Sequence, residues 1–141
     1  MSSDELDAFL ADERTCRIAT VGPNGAPHNT PLWFVWDGTS LWLYSLFKSQ
    51  RWTDIERDPR VSVIVDGGVA YTELRGVELI GSLEQIGDVP RSTTPDPELE
   101  VAEQLFGRKY TGGPFDVDGR HAWLRLTPNK IVSWDFRKIG K

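Results

Sequence analysis

The stretch TCRIATVGPNGAPHNTPLWFVW, from Thr15 to Trp36, decides the fold. Its first part, Thr15 to Val21, reads as a strand and ends in the turn Gly22-Pro23-Asn24-Gly25. Asn24-Gly25 predicts a tight type I′ hairpin, because both central residues of that turn need positive φ. The returning strand runs from about His28 to Trp36. Leu32, Phe34 and Trp36 point one way and Trp33 and Val35 the other, so both faces are expected to be covered. Pro31 cannot donate a ladder hydrogen bond, so it marks an edge, a bulge or a ligand contact.

The same reading extends outward. Before the hairpin, Ser2 and Glu5 have capping-box spacing and Leu6, Phe9 and Leu10 share one face, which predicts a helix over Ser2 to Glu13. After it, Asp37-Gly38 turns the chain into a third strand, Leu41 to Leu46. Ser49 caps a second helix that Pro59 stops after Asp58. Val61, Val63 and Val65 alternate in a fourth strand. Tyr71 to Ile86 reads as a long fifth strand, with Gly76 or Gly81 as its bulge points. Thr94 is expected to cap a third helix with Pro95 in its first turn and Gly107 at its end. Arg108 to Gly119 reads as a loop, and His121–Leu126 and Lys130–Phe136 as the last two strands. Helices inserted among hairpin-spaced strands indicate a mainly β, antiparallel sheet or small barrel with about three short helices, not a doubly wound α/β fold.

At 141 residues the chain fits one domain, 1–141, able to bury about two-thirds of its unfolded surface without a staple. Sixteen basic against 21 acidic residues give a net charge of −5, which disfavours nucleic acid and anionic membrane as partners. No stretch approaches the roughly 18 apolar residues of a membrane span. A single cysteine, Cys16, and an acidic, unpatterned N-terminus point to a cytoplasmic protein without a signal peptide. No Cys/His spacing suggests a metal site.

The segment with most chemistry is Ser45-Leu46-Phe47-Lys48-Ser49-Gln50-Arg51-Trp52. It joins a strand to a helix, whose first N–H groups are unpaired and favour an anion. Lys48 and Arg51 add charge, and Ser49 and Gln50 add donors, so the segment is either a phosphate cradle or a solvated, capped basic turn. His28 and His121 read as surface or hydrogen-bonded core groups, and Cys16 as an inert buried thiol. Asp96, Glu98, Glu100 and Glu103 read as a solvated helix face. Trp33 stands out because the turn places it near the basic helix start. The lack of an evident acid, base or nucleophile fits a protein whose cofactor carries the chemistry, and fits a pure binding protein equally.

Taken in order, these segments resemble the pyridoxamine 5′-phosphate oxidase-like split-barrel superfamily. Arg17-Ile18-Ala19-Thr20, Gly25-Ala26-Pro27-His28 and Thr30-Pro31-Leu32-Trp33-Phe34 look like its opening. Ser49-Gln50-Arg51 and Asp58-Pro59-Arg60-Val61-Ser62 look like its phosphate turn and following strand. Val77 to Gly81 looks like its bent central strand, and Arg125-Leu126-Thr127-Pro128 with Ile131 to Asp135 like its C-terminal hairpin. Within it the chain is most similar to the small actinobacterial flavin/deazaflavin oxidoreductases of the B type. The resemblance implies a split β-barrel homodimer with cofactor sites at the interface, taking coenzyme F-420, a 5-deazaflavin, or FMN. Hydride would pass from the reduced cofactor to a small unsaturated substrate. It implies that Lys48, Ser49, Gln50 and Arg51 hold the phosphate and that the ring lies near Thr30, Pro31 and Trp33. Trp134, Arg137 and Lys138 would reach the partner's site, and Arg57, Lys138 and Lys141 join Lys48 and Arg51 as candidates for the acidic tail of F-420. Gln50 and Asp54 depart from the family pattern; an acid there is tolerable if it pairs with Arg51 or Arg57. The alternative on the same barrel is a non-catalytic protein binding a cofactor, haem or a lipid-like ligand.

Overall fold

The computed structural model describes residues 1–139; Lys141, a candidate for the acidic tail, lies outside them. Seven strands form one antiparallel sheet: β1 (Thr15–Val21), β2 (Pro27–Trp36), β3 (Leu41–Leu46), β4 (Arg60–Gly67), β5 (Arg75–Ile86), β6 (His121–Leu126) and β7 (Lys130–Asp135). The order β4-β1-β2-β3-β6-β5 closes through a β4–β5 pairing, giving a six-stranded barrel with β7 added to β5. The mainly β barrel anticipated above is therefore the fold.

The length of β5 makes closure possible. Its Arg75–Ser82 half pairs with β4, and its end, Leu83–Ile86, pairs with β6. On its other edge Arg75–Ile80 holds β7. The change of partner falls at Gly81, where a Cβ would stand 3.0 Å from Leu126 Cδ1 and 3.2 Å from the Thr127 carbonyl oxygen. Gly76 serves differently: the Trp134 ring lies on it, in the space a side chain would fill.

The opening hairpin forms in the expected register, Thr15 opposite Trp33 through Val21 opposite Pro27. Its turn is not type I′, because only Gly25 has positive φ (77°). Pro23 and Asn24 instead form the centre of a tight turn closed by Gly25 N–H to the Gly22 carbonyl (3.0 Å). The fixed φ of Pro23 suits that geometry, and Gly25 takes the left-handed position that re-aligns the strands.

Three helices decorate the barrel: α1 (Ser3–Asp12), α2 (Gln50–Arg57) and α3 (Glu100–Phe106). The Ser2–Glu5 capping box is present. Three local expectations are corrected. Tyr71–Glu73 is a 3-10 turn preceding β5, not part of it. The third helix starts after a 3-10 turn at Pro97–Leu99 capped by Asp96, not at Thr94, because the Asp96 carboxylate accepts the Glu98 N–H. Beyond α3, Gly107–Thr111 continues as a π-turn where a loop was expected.

The barrel is filled by Ile18, Phe34, Leu43, Val63, Leu79 and Leu124, none with exposed surface, and closed by Phe9 and Leu10 of α1 and Trp52 and Ile55 of α2. Truncating such a residue, Leu124→Ala for example, costs about 2–5 kcal/mol. A second cluster outside the barrel joins Val35, Trp42 and Trp123 to Leu99 and Ala102. Glu103, expected on a solvated face, instead accepts hydrogen bonds from Arg91 (2.7 Å) and the Trp123 indole (3.0 Å), tying α3 to the sheet.

Candidate functional site

The barrel opens on one side. Pairing of β2 with β3 covers only Phe34–Leu43, Val35–Trp42 and Trp36–Leu41. The first half of β2 continues along β1, while Tyr44 to Leu46 of β3 continue along β6. Pro31 therefore lies where β2 has no partner on its β3 side, which explains how a proline is accommodated there. A cleft of about 430 Å³ occupies the gap, lined by residues including Pro31, Trp33, Tyr44, Arg51, Phe106 and His121.

Arg51 spans the split. Its Nη1 donates to Thr30 Oγ1 on β2 (2.8 Å) and its Nε to Ser45 Oγ on β3 (3.1 Å). Burial lowers its pKa, but a guanidinium still remains charged. Among the described residues no carboxylate lies within ion-pair distance of it. The rest of the turn is engaged otherwise. Ser49 caps α2, accepting the Trp52 N–H (3.1 Å) and donating to the Leu46 carbonyl (2.8 Å). Gln50 donates to Asp54 Oδ1 (2.8 Å). Lys48 is exposed, its Nζ 5.7 Å from the Phe47 ring centre. The N–H groups of Gln50 and Arg51 find no acceptor among the described residues, as expected of a helix start.

Asp54 answers the question posed by its substitution. It has no exposed surface and does not line the cleft. Thr20 Oγ1 donates to it (2.9 Å) and Arg57 Nη2 pairs with it (3.2 Å), with His28 Nδ1 3.3 Å away. The Gln50 hydrogen bond, with those of Thr20 and Arg57, outweighs burial and holds its carboxyl below the usual range. The acid is thus compensated and turned away from the cleft, and His28 is its neighbour.

The walls are aromatic. Trp33, 47% exposed, stacks on Tyr110 with centroids 4.3 Å apart and planes within 7°. The Tyr110 hydroxyl fixes that arrangement by accepting the Phe34 N–H (3.1 Å) and lying 2.6 Å from the Phe34 and Arg14 carbonyl oxygens. Tyr44 meets Phe106 and Phe115 edge-on and stacks on His121 at 4.9 Å. The Tyr44 hydroxyl is buried, and burial, reinforced by Asp118 and Glu103, pushes its pKa up to about 12. Asp116 and Asp118 complete the far end.

Of the expected site residues, Thr30, Pro31, Trp33 and Arg51 are brought together, and Lys48, Ser49 and Gln50 adjoin them. Trp134 and Lys138 do not line this cleft. Trp134 packs on Gly76, Lys138 pairs with Glu5 (2.7 Å) and Arg137 with Asp135 (2.7 Å). Sequence reading missed Tyr44, Phe106, Tyr110, Asp118 and His121. The Asp-x-x-His spacing of the last two was the one local signal available. Cys16 is buried, and burial pushes its thiol up to about 12, which leaves it unreactive.

The family model described as pyridoxamine 5′-phosphate oxidase matches residues 2–135. Among solved structures, the conserved hypothetical protein Rv2991 from Mycobacterium tuberculosis is 34% identical, with 100% of this chain and 89% of that one covered and a TM-score of 0.81. An F-420 reductase is 24% identical over 89% of this chain and 94% of its own, with a TM-score of 0.64. A haem storage protein from Vibrio cholerae is 14% identical over 94% of this chain and 92% of its own, with a TM-score of 0.73. These last two likenesses show the shared fold. No curated protein matches the chain. With the family model spanning most of its length and a relative 34% identical along all of it, the chain belongs to the pyridoxamine 5′-phosphate oxidase family of split barrels.

Proposed function

We propose that this protein is an oxidoreductase that holds coenzyme F-420 or FMN in the cleft between β2 and β3 and passes hydride to a small unsaturated substrate. The observation that carries the reading is Arg51: half-buried, tied to two hydroxyls, without a carboxylate among the described residues, and facing an aromatic cleft. A cation so placed favours an anionic group, and the unpaired N–H groups at the start of α2 add donors beside it. Trp33 and Pro31 offer apolar surface to a ring. The bound cofactor would supply the hydride. The chain's share is to anchor the phosphate at Arg51, with Lys48 at the rim, and to exclude water with the aromatic wall. F-420 is the preferred ligand on family resemblance. A second copy of the chain completes the site; Trp33 and Leu46, 47% and 41% exposed, give the rim apolar surface for it to cover.

The reading is tested by titrating the protein with F-420 and, separately, FMN, following ligand fluorescence, then supplying the reduced ligand with an unsaturated acceptor. Saturable binding followed by turnover is expected. Binding without turnover would favour the second reading, a non-catalytic protein that binds a cofactor, haem or a lipid-like ligand. That reading draws support from Ser49 and Gln50, whose polar groups are engaged within the chain and leave Arg51 the one guanidinium or ammonium lining the cleft among the described residues. Failure of both ligands to bind would overturn the proposal.

A further inference from the structure

The far end of the cleft carries a pair that anchoring a cofactor does not require. His121 opens β6 and is held from three sides. Its backbone pairs with Leu46, its carbonyl accepts the Arg91 N–H (2.8 Å), and its ring lies on Tyr44. Asp118 fixes the ring: the carboxylate accepts the N–H groups of Arg120 (2.9 Å) and His121 (3.1 Å) and meets His121 Nδ1. Although partial burial opposes it, the Arg120 N–H and the imidazole hold the Asp118 carboxyl below its usual range. An anion at Nδ1 holds that nitrogen's proton and fixes the ring, so Nε2 is the edge from which the imidazolium form would give its proton. Nε2 makes no hydrogen bond with any described residue, and the side chain lines the cleft. The other charged or titratable groups facing this cleft are Arg51 from α2, Tyr44 from β3, and Asp116 beside Asp118.

We infer that His121, positioned by Asp118, is the proton donor to the molecule reduced in this cleft. The inference rests on the hydride-transfer reading for its chemical step. For an α,β-unsaturated carbonyl, the β-carbon takes hydride, with its two electrons, from the reduced deazaflavin or flavin. The C=C π pair shifts to form a new double bond to the carbonyl carbon, and the C=O π pair moves onto the oxygen, giving an enolate. The Nε2–H bond of His121 then breaks as an O–H bond forms, and the imidazole regains its proton from water. The acceptor gains two electrons and the hydride donor loses them.

The test has one arm without cofactor. 4-Nitrophenol is a planar probe whose colour reports whether its oxygen is ionised. The wild type is expected to enrich the bound, ionised form. His121→Phe, which keeps a ring over Tyr44, should weaken binding of that form about tenfold, the effect of one charged hydrogen bond. Asp118→Asn, which leaves the imidazole in place, should fall between. In the second arm, single turnover of 2-cyclohexen-1-one with reduced F-420 or FMN should slow on the order of 100-fold in His121→Phe and lose the basic limb of its pH profile. Circular dichroism checks that both variants fold. A probe and a pH profile indifferent to both substitutions, with cofactor still bound through Arg51, would overturn the proton donor alone. A probe that responds to His121 while neither cofactor binds would overturn the hydride-transfer reading and, with it, the proton-donor role, leaving His121 only as an anion-binding group.

Discussion

Arg51 and Asp54 stand one turn apart on α2 and are built in opposite ways. Asp54 is fully buried, and both of its oxygens have partners: Gln50 and Arg57 on one, Thr20 on the other with His28 close by. Arg51 is half-buried, faces a cleft, and meets two neutral hydroxyls. A buried charge survives when its surroundings satisfy it, and it then belongs to the architecture. A charge left without a counter-charge beside an open cleft is placed for something that arrives from outside. The turn thus divides its work: Asp54, met by Gln50 on its own helix, ties α2 to Thr20 of β1, and Arg51 faces the cleft.

This contrast can be broken most severely at Asp54. Asp54→Ala leaves Arg57 without its anion and opens a polar void, so the melting temperature should fall by roughly 10 °C or more. Differential scanning calorimetry reads it. Arg51→Ala should do the reverse, moving the melting temperature by only about 2–3 °C while weakening F-420 or FMN binding roughly 30- to 100-fold, the loss of a charge-assisted anchor. If Arg51→Ala melted like Asp54→Ala, the distinction between the two faces of α2 would collapse. Trp33→Ala should come next, weakening ligand binding roughly five- to tenfold through lost stacking, with stability little changed.

Acid titration sharpens the same contrast. The folded pKa of Asp54 is depressed, so its contribution is present above the ordinary carboxylate range and is lost as pH falls through the lower folded value. Melting curves taken from neutral pH to about pH 3 should therefore fall less steeply in Asp54→Asn than in the wild type. Smallest of all, Lys48→Ala should weaken cofactor binding by about threefold or less. That difference should vanish in high salt, because the side chain is exposed.

The barrel was legible because its signals are local. Alternation across Val61–Val65, the Asp37-Gly38 turn and the Ser2–Glu5 box each concern neighbours in sequence, and each appears in the structure. The opening turn was misread because Asn24-Gly25 was weighed without Pro23, whose fixed φ selects a different geometry. The position of Arg51 beside the cleft follows from its place at a strand–helix junction, which the sequence displays. The compensation of Asp54 was legible in part: the pairing with Arg57 was one of the two weighed, whereas the contacts of Thr20 and His28 come from the distant hairpin. The aromatic wall was not legible, because it assembles Trp33, Tyr44, Phe106 and Tyr110 from separate elements. His121 looked like an isolated histidine because stacking on Tyr44 is a product of β3–β6 pairing, and only that pairing makes it a cleft residue. Trp134 and Lys138 were assigned by resemblance to a partner's site; within one chain they pack on Gly76 and pair with Glu5.

The phosphate seat at Arg51 is tested most directly by comparing FMN with riboflavin, which lacks only the phosphate, in the wild type and in Arg51→Ala. F-420 and its phosphate-free chromophore form the parallel pair. In the wild type the phosphorylated ligand should bind at least about tenfold tighter, as a charge-assisted hydrogen bond requires. In Arg51→Ala that advantage should vanish while riboflavin affinity stays within about twofold. Equal affinity for both forms in the wild type, or an advantage that survives the substitution, would contradict the assignment of Arg51 as the residue that holds the phosphate.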